Sequence, residues 1–302
     1  MASLAPLVSA RYGSTSLKAA NGANATVTTD ETSNGVNGHA NIFTPSLPAA
    51  LETILSHKSV RHFVPDQPLP DSTLDLLVAA GQSAPTSSNL QAWSVVALQD
   101  PERKAQLSVL SGDQAFIRNA PLILVFVADL HRAEVTSSLA GNGSKAEALA
   151  YTELFLVAAL DAAFAAQNVF VAAESLGLGG CYVGAARNHP KEVAALLGLP
   201  PRVVGLFALA IGVPDKSVPA VVAPVKPRLP AAEVLHHETW DDSNQEQHFI
   251  EYDDTLAAFN DAQRVDQPRW TKRAAARVAT VESLHGRHKL KEILHERNFD
   301  LL

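Results

Sequence analysis

From residue 48 onward the chain alternates stretches in which apolar residues recur every three or four positions with short, bulky apolar runs, the signatures of helices and strands respectively. The helices are punctuated at their ends. Asp71 is placed to cap a helix over 72–80 that Gly81 ends, and Asp100 followed by Pro101 reads as an N-cap with proline at the first helical position. Gly112 lies just past the last apolar turn of that second helix. Ser144 with Glu147 three residues later forms a capping-box pattern, opening a helix that runs to about Leu176, where Gly177 stops it. Between the helices, the runs Trp93 to Leu98, Leu122 to Ala128 and Val203 to Val213 are short and bulky enough to be strands. The order predicts a sheet covered by helices, a layered α+β or α/β domain. No fixed-period repeat is present, which argues against a solenoid.

The helix predicted over 145–176 is apolar nearly all round, so every side of it needs cover, and a second subunit is one source. Its longest uncharged stretch, Ala162 to Ala173, is about 12 residues against the roughly 20 that cross a bilayer, so it reads as a buried helix rather than a membrane span. Residues 1–46 are rich in Ser, Thr, Asn, Ala and Gly and are expected to form a disordered tail. Met1 to Thr29 has no acidic residue and carries Arg11 and Lys18 among serines, a pattern shared with transit peptides; a cytoplasmic location is expected, with organellar import left open. Residues 47–302 are expected to form one domain. Within it 231–302 reads as an extension packed on the rest, polar after Pro230 and helical again at Phe249 to Phe259. It closes in a mixed-charge helix over Val281 to Leu302, striped by Leu284, Leu290, Ile293 and Leu294.

With 302 residues and 47% hydrophobic content the chain can bury a sizeable core. A net charge of -7 leaves no basic footprint of the kind that phosphate neutralisation along nucleic acid requires. Cys181 is the only cysteine, which excludes an intramolecular disulfide framework and any multi-cysteine metal site. In its apolar surroundings it reads as a small hydrophobe rather than a nucleophile. His236 and His237 are adjacent and so face different ways, which argues against a shared metal.

Four features carry candidate chemistry. His57, Lys58, Ser59, Val60, Arg61, His62 and Phe63 crowd cations at the end of a predicted helix, where they complement the helix dipole or meet an anionic ligand. Ala84 to Gln91 packs Thr86, Ser87, Ser88 and Asn89 into the loop before a strand, either as plain turn formers or as polar contacts to a ligand. Gly177 to Arg187 is glycine-rich, which allows close backbone approach to a flat ligand; it follows a helix and contains its own short strand, so it is not a Rossmann fingerprint. Lys226-Pro227-Arg228 holds two cations on a stiffened segment, as solvated surface charge or as a fork and a point charge for a phosphate.

Taken in order, these features resemble the FMN-dependent nitroreductase superfamily, and within it the NADPH-linked nitroreductase and flavin reductase group. His-Lys-Ser-Val-Arg-His-Phe resembles that group's opening motif, and Ala-Glu-Ser-Leu-Gly-Leu-Gly-Gly, Tyr-Val-Gly and Lys-Pro-Arg-Leu-Pro its later ones. The resemblance covers about residues 48–240 closely and the remainder loosely. It implies an α+β fold, a mixed sheet sandwiched by helices, as an intertwined homodimer with FMN at the interface. It also implies electron transfer from NADPH or NADH through FMN to nitroaromatic, quinone or flavin acceptors, with the flavin rather than a protein nucleophile carrying the chemistry. By the resemblance, His57, Lys58, Ser59, Val60 and Arg61 contact the FMN phosphate end and pyrimidine edge, and Thr86, Ser87, Asn89 and Gln114 add polar contacts. Tyr182, Val183, Gly184 and Ala185 line the ring, and Lys226 and Arg228 hold the phosphate. Arg264 and Arg269, in a proline-containing loop, are suited to a nicotinamide 2'-phosphate. The chain departs from the pattern at Ala185, where a second glycine is frequent, and at Asn89, where an aromatic is common, which leaves acceptor preference open. A flavin-fragmenting or dehalogenating enzyme on the same fold, and a non-enzymatic flavin-binding protein, are the competing expectations.

Overall fold

The computed structural model describes residues 48–141 and 146–302. Its regular elements run α1 Ala49–Leu55, α2 Ser72–Gln82, β1 Trp93–Leu98, α3 Pro101–Leu110, α4 Ala115–Asn119, β2 Leu122–Asp129 and α5 His131–Leu139. Next come α6 Thr152–Ser175, β3 Gly179–Val183, α7 Pro190–Leu197, β4 Val203–Gly212 and α8 Pro219–Val222. The chain closes with α9 Gln245–Ala262, α10 Trp270–Val278 and α11 Leu290–Glu296. Residues 1–46, expected to be a disordered tail, and Ser144 of the expected capping box lie outside the described residues.

Residues 58–222 and 276–302 form one compact unit. Its sheet has the order β1-β2-β4-β3, with every strand pair antiparallel, and a single parallel bridge from Ser59 to Gly180 adds to the β3 edge. All eight residues of β2 are buried, so both faces of the sheet are covered. Because strand side chains alternate, Leu122, Leu124, Phe126 and Ala128 feed one core with α6, while Ile123 and Val125 feed another with Leu107 of α3, Ile117 of α4 and Val193 of α7.

The long apolar helix α6 presents a stripe of Ala158, Ala162, Ala165, Ala166 and Ala173 to the first core, and small side chains allow close packing. By length and composition it would suffice to cross a membrane. What ties it into the core instead is Asp161, 1% exposed at its middle, whose carboxylate accepts from the Ser87 amide (3.0 Å) and the Ala92 amide (3.2 Å). A buried carboxylate is tolerable only with such partners. The opposite side of the helix leaves Leu156, Leu160 and Phe164 each nearly half exposed, at the four-residue spacing of one face.

Local signals hold where they are self-contained. Asp100 accepts from the Arg103 amide at 2.8 Å with Pro101 at the first helical position, and Gly112 and Gly177 follow their helices with φ of 81° and 78°. Three expectations are corrected. Gly81 does not end its helix: α2 continues to Gln82, and a Cβ on Gly81 would come within 3.0 Å of Val169, so this glycine serves close packing against α6. The long helix begins at Thr152, not near 145, because Glu147–Ala150 forms a separate 3-10 turn. The closing helix over 281–302 is broken: His285 and Gly286 take left-handed φ of 51° and 85°, and only Leu290–Glu296 is α-helical. The segment is nonetheless fastened, since Leu294 and Phe299 join the first core and Leu302 and Thr152 are joined backbone to backbone.

The second unit comprises the described part of residues 1–57 together with 223–275. Here Trp270 packs edge-on against Phe249 and Tyr252, and buried Asp253 of α9 accepts from the Thr271 amide at 3.0 Å and from its hydroxyl. Burial alone raises this carboxyl's pKa; the Thr271 contacts outweigh it, with Arg269 and the Trp270 amide assisting, and leave it below its ordinary value.

Removing the central carboxylate tests how the first core is held. Asp161→Ala orphans two amides and is expected to lower unfolding free energy by about 2 to 3 kcal/mol in urea titration, with Asp161→Asn losing less. An unchanged midpoint and slope in Asp161→Ala would show that the two bonds contribute nothing.

Candidate functional site

The glycine-rich stretch makes the β3 edge unusually approachable. A Cβ on Gly179 would meet Val60 at 2.8 Å and Pro214 at 2.9 Å, and one on Gly180 would lie 2.6 Å from the Ala210 carbonyl. These glycines therefore admit neighbouring protein rather than a ligand. With the space left open, the Val60 amide donates to the Gly180 carbonyl at 2.7 Å, and the segment from Lys58 to Arg61 lies along the strand. Lys58 is steered by a bond from its Nζ to the Val221 carbonyl at 2.9 Å. Arg61, exposed, sits with its guanidinium 5.9 Å from the centroid of buried Phe116 and beside the Cys181 thiol.

Phe116 is two residues beyond Gln114, whose Nε2 donates to the Ser111 carbonyl at 2.8 Å and whose own carbonyl accepts from Ser108. At the end of β3 follow Tyr182, half-exposed, then Val183 and the turn Gly184–Arg187. Tyr182 packs edge-on between Phe170 and Phe207, and its hydroxyl donates to Gln167 at 3.4 Å. Burial, with Glu174 adding, pushes that hydroxyl far above its ordinary range, so it stays protonated. A Cβ on Gly184 would find Arg187 Nη2 at 3.6 Å, ordinary contact distance, so the turn is uncrowded. The uncrowded turn, the Arg61 guanidinium and the amide side chain of Gln114 are a fitting set for a flat, anionic, hydrogen-bonding cofactor such as FMN.

The loop with Thr86, Ser87 and Asn89 is placed elsewhere. It enters β1, at the opposite edge of the sheet from β3, about 14 Å away at ordinary strand spacing. Ser88, Asn89 and Gln91 hold φ of 50°, 54° and 50°, a strained run fastened by the Asp161 carboxylate. The loop lines a cavity of about 460 Å³ together with Trp93, Ser94 and Arg132. The fold of one chain thus brings Lys58 to Arg61, Gln114 and Tyr182 to Ala185 to one edge and leaves Thr86, Ser87 and Asn89 at the other.

The remaining candidates lie in the second unit, as does His57. Pro227 is buried and its carbonyl accepts from the Tyr252 hydroxyl at 3.0 Å, which fixes Lys226-Pro227-Arg228 as a stiff segment with both cations exposed. Arg228 Nη1 folds back to the Lys226 carbonyl at 3.2 Å. Arg264 takes φ 55° just after α9, and Arg269 forms an ion pair with Asp254.

Nitroreductase family sequences match residues 54–212, and the nitroreductase family C-terminal domain matches 226–302. The chain belongs to the nitroreductase family. It is 44% identical over 190 residues to an FMN reductase (NADPH) of Bacillus subtilis, covering 63% of this chain and 74% of that one. It is 35% identical over 238 residues to an NADPH-flavin oxidoreductase of Vibrio harveyi, covering 78% and 93%. The solved structure of B. megaterium NfrA2 superposes with a TM-score of 0.78 at 32% identity, covering 85% of this chain and all of that one. The nitroreductase fold expected from the motifs is therefore present. The sequence pattern does not single out Asp161, one charge within an apolar helix, and leaves Arg187 without a role, although it closes the glycine-rich motif. Phe116 offered no signal, because its place beneath Arg61 is set by the packing of α4.

The site's one thiol gives a direct test. Burial pushes the Cys181 thiol up, against a smaller opposing effect of Arg61, so it remains neutral at pH 7. Iodoacetamide at pH 7.5 is expected to leave Cys181 unlabelled in folded protein and to label it in urea, read by intact mass; rapid labelling of the native protein would contradict this. Because the folded thiol holds its proton above the unfolded pKa, its contribution to stability is full below that pKa and is lost as pH rises through the alkaline range.

Proposed function

We propose that this nitroreductase-family protein is an NAD(P)H-dependent FMN oxidoreductase, which passes hydride equivalents from a nicotinamide donor to nitroaromatic, quinone or flavin acceptors. The observation that carries the reading is the grouping of Arg61, Gln114 and the stretch Tyr182 to Ala185, with its uncrowded turn at Gly184, on one sheet edge. FMN, when bound, supplies the redox chemistry, and the protein supplies placement and charge. Tyr182, Val183, Gly184 and Ala185 would support the ring, and Arg61 and Lys58 would place positive charge against it. His57, Ser59 and Val60 complete that contact, and Gln114 adds a polar one. Lys226 and Arg228 hold the phosphate, as a point charge and a fork. Arg264 and Arg269 take the 2'-phosphate of NADPH, Arg269 exchanging Asp254 for it, so NADPH is preferred to NADH.

Thr86, Ser87 and Asn89 reach the same FMN when a second copy contributes them, because within one chain they lie at the far edge of the sheet. The exposed face of Leu156, Leu160 and Phe164 on α6 supplies an apolar surface for that copy. The working form is thus an intertwined homodimer with one FMN per subunit, acting in the cytoplasm without nucleic-acid or membrane partners.

Three outcomes are expected. The purified protein is a yellow homodimer, and Phe164→Glu with Leu160→Glu yields a monomer that loses its FMN, as seen by light scattering and visible absorbance; a yellow, active monomer would defeat the dimeric site. Arg228→Ala weakens FMN about 10- to 100-fold, since a bond to a charged group contributes roughly 1.5 to 3 kcal/mol. Saturating FMN then restores most of kcat, whereas a fully loaded but inactive variant would refute a purely anchoring role. Arg264→Ala with Arg269→Ala brings kcat/KM for NADPH down toward that for NADH; an unchanged ratio counts against those two residues.

A further inference from the structure

Three arginines gather at the end of the turn proposed to face the flavin, and none of the roles above uses them. Arg187 ends the turn Gly184–Arg187, Arg277 lies in the last turn of α10, and Arg287 follows the left-handed pair His285 and Gly286. Each is held by its own tether. Arg187 Nη1 donates to the carbonyl of Leu206, the residue that the β-bulge in β4 leaves without a partner on β2. Arg287 Nε donates to Asn188 Oδ1 at 2.9 Å, and the Arg277 guanidinium donates to the Ser283 carbonyl.

These tethers aim like charges at one another. Burial, followed by the charges of Arg287 and Arg277, lowers the pKa of Arg187, and burial with Arg277 does the same to Arg287. No carboxylate among the described residues forms an ion pair with any of the three, in a chain of net charge -7 where acidic partners abound. Arg118, Arg132, Arg202 and Arg269 each have such a partner. The tethers use one nitrogen of each guanidinium, so most of the donor fork of Arg287 and Arg277 is left without a described protein acceptor. Like charges held together with unused donors call for an anion with several acceptor oxygens.

We propose that Arg187, Arg277 and Arg287 bind the diphosphate bridge of the nicotinamide dinucleotide. The proposal rests on the oxidoreductase reading, because it is the position of Arg187 just past Gly184 that makes the donor the ligand. A diphosphate carries two negative charges and four non-bridging oxygens, which matches forks from three guanidiniums. It is common to NADH and NADPH, so this site sets affinity for both, whereas Arg264 and Arg269 are assigned the group that distinguishes them.

The test uses FMN-loaded enzyme with Arg277→Ala, Arg287→Gln and the double variant, in steady-state kinetics with each donor. Inorganic pyrophosphate serves as a separate probe by calorimetry on the full chain. The expected result is a KM raised about tenfold or more for both NADH and NADPH in the double variant, with their ratio, kcat, the KM for the acceptor and the flavin spectrum unchanged. Pyrophosphate competes with donor in the parent and loses affinity in the variant. Unchanged KM for both donors with pyrophosphate binding lost in the variant overturns the dinucleotide as ligand and leaves a site for free phosphates. Unchanged KM with no pyrophosphate binding in the parent overturns the site altogether. A change confined to NADPH overturns the diphosphate assignment. Should Arg287→Gln misfold, Arg277→Ala with Arg287→Lys, which keeps a cation beside Asn188, gives the same reading. Protein that takes up no FMN at all fails the oxidoreductase reading instead, and pyrophosphate calorimetry still reports on the arginines.

Discussion

The site depends on how closely one short segment lies against an edge strand. Gly179 and Gly180 have no side chain, and only that lets Val60 donate to the Gly180 carbonyl while β4 packs behind. Any side chain at Gly180 would drive into the Ala210 carbonyl and push the strand away from β4. With the segment in place, Arg61 stands over Phe116 and beside Cys181, and Lys58 reaches Val221. The cations proposed to face the flavin are thus positioned by main-chain contact, not by loops free to wander.

The opposite edge is governed by one buried charge. Asp161 holds the strained loop before β1 through two amides, and in doing so places a carboxylate in the middle of an otherwise apolar helix. Helix α6 therefore has three duties: an alanine stripe against the sheet, a charge that organises a loop, and an outer apolar face that needs cover. These account for its being apolar nearly all round. They also link the fold to the proposed assembly, because the face of Leu156, Leu160 and Phe164 belongs to the same helix whose Asp161 holds the loop at Ser87 and Ala92.

Charge is distributed with the same economy. Arg118, Arg132, Arg202 and Arg269 pair with carboxylates, and Arg297 is spread over the carbonyls of Leu199, Pro200 and Val203. Two arginines with no carboxylate ion pair among the described residues lie on segments that tertiary contacts stiffen. Arg228 sits on a segment pinned by Tyr252, and Arg187 is tethered at a bulge. Stiff cations bind anions with less entropy lost on association than mobile ones.

What the sequence determined by itself is local in cause. The three strands, the Asp100 cap, the glycines that stop helices and the ordered motifs that mark the family follow from spacing and side-chain chemistry within a few residues. What only the tertiary structure decided involves contacts between distant residues. Gly81 reads as a helix stop until Val169, 88 positions on, is seen to need its space. The closing helix reads as continuous until Gly286 is found in a left-handed turn against Asn188. The separation of Thr86 from Tyr182 follows from strand order, and the meeting of Arg187, Arg277 and Arg287 from a turn, a helix end and a loop up to 100 residues apart. Neither leaves a periodic trace in the sequence, because pairing across a sheet and charge gathered in space are set by packing and not by neighbours along the chain.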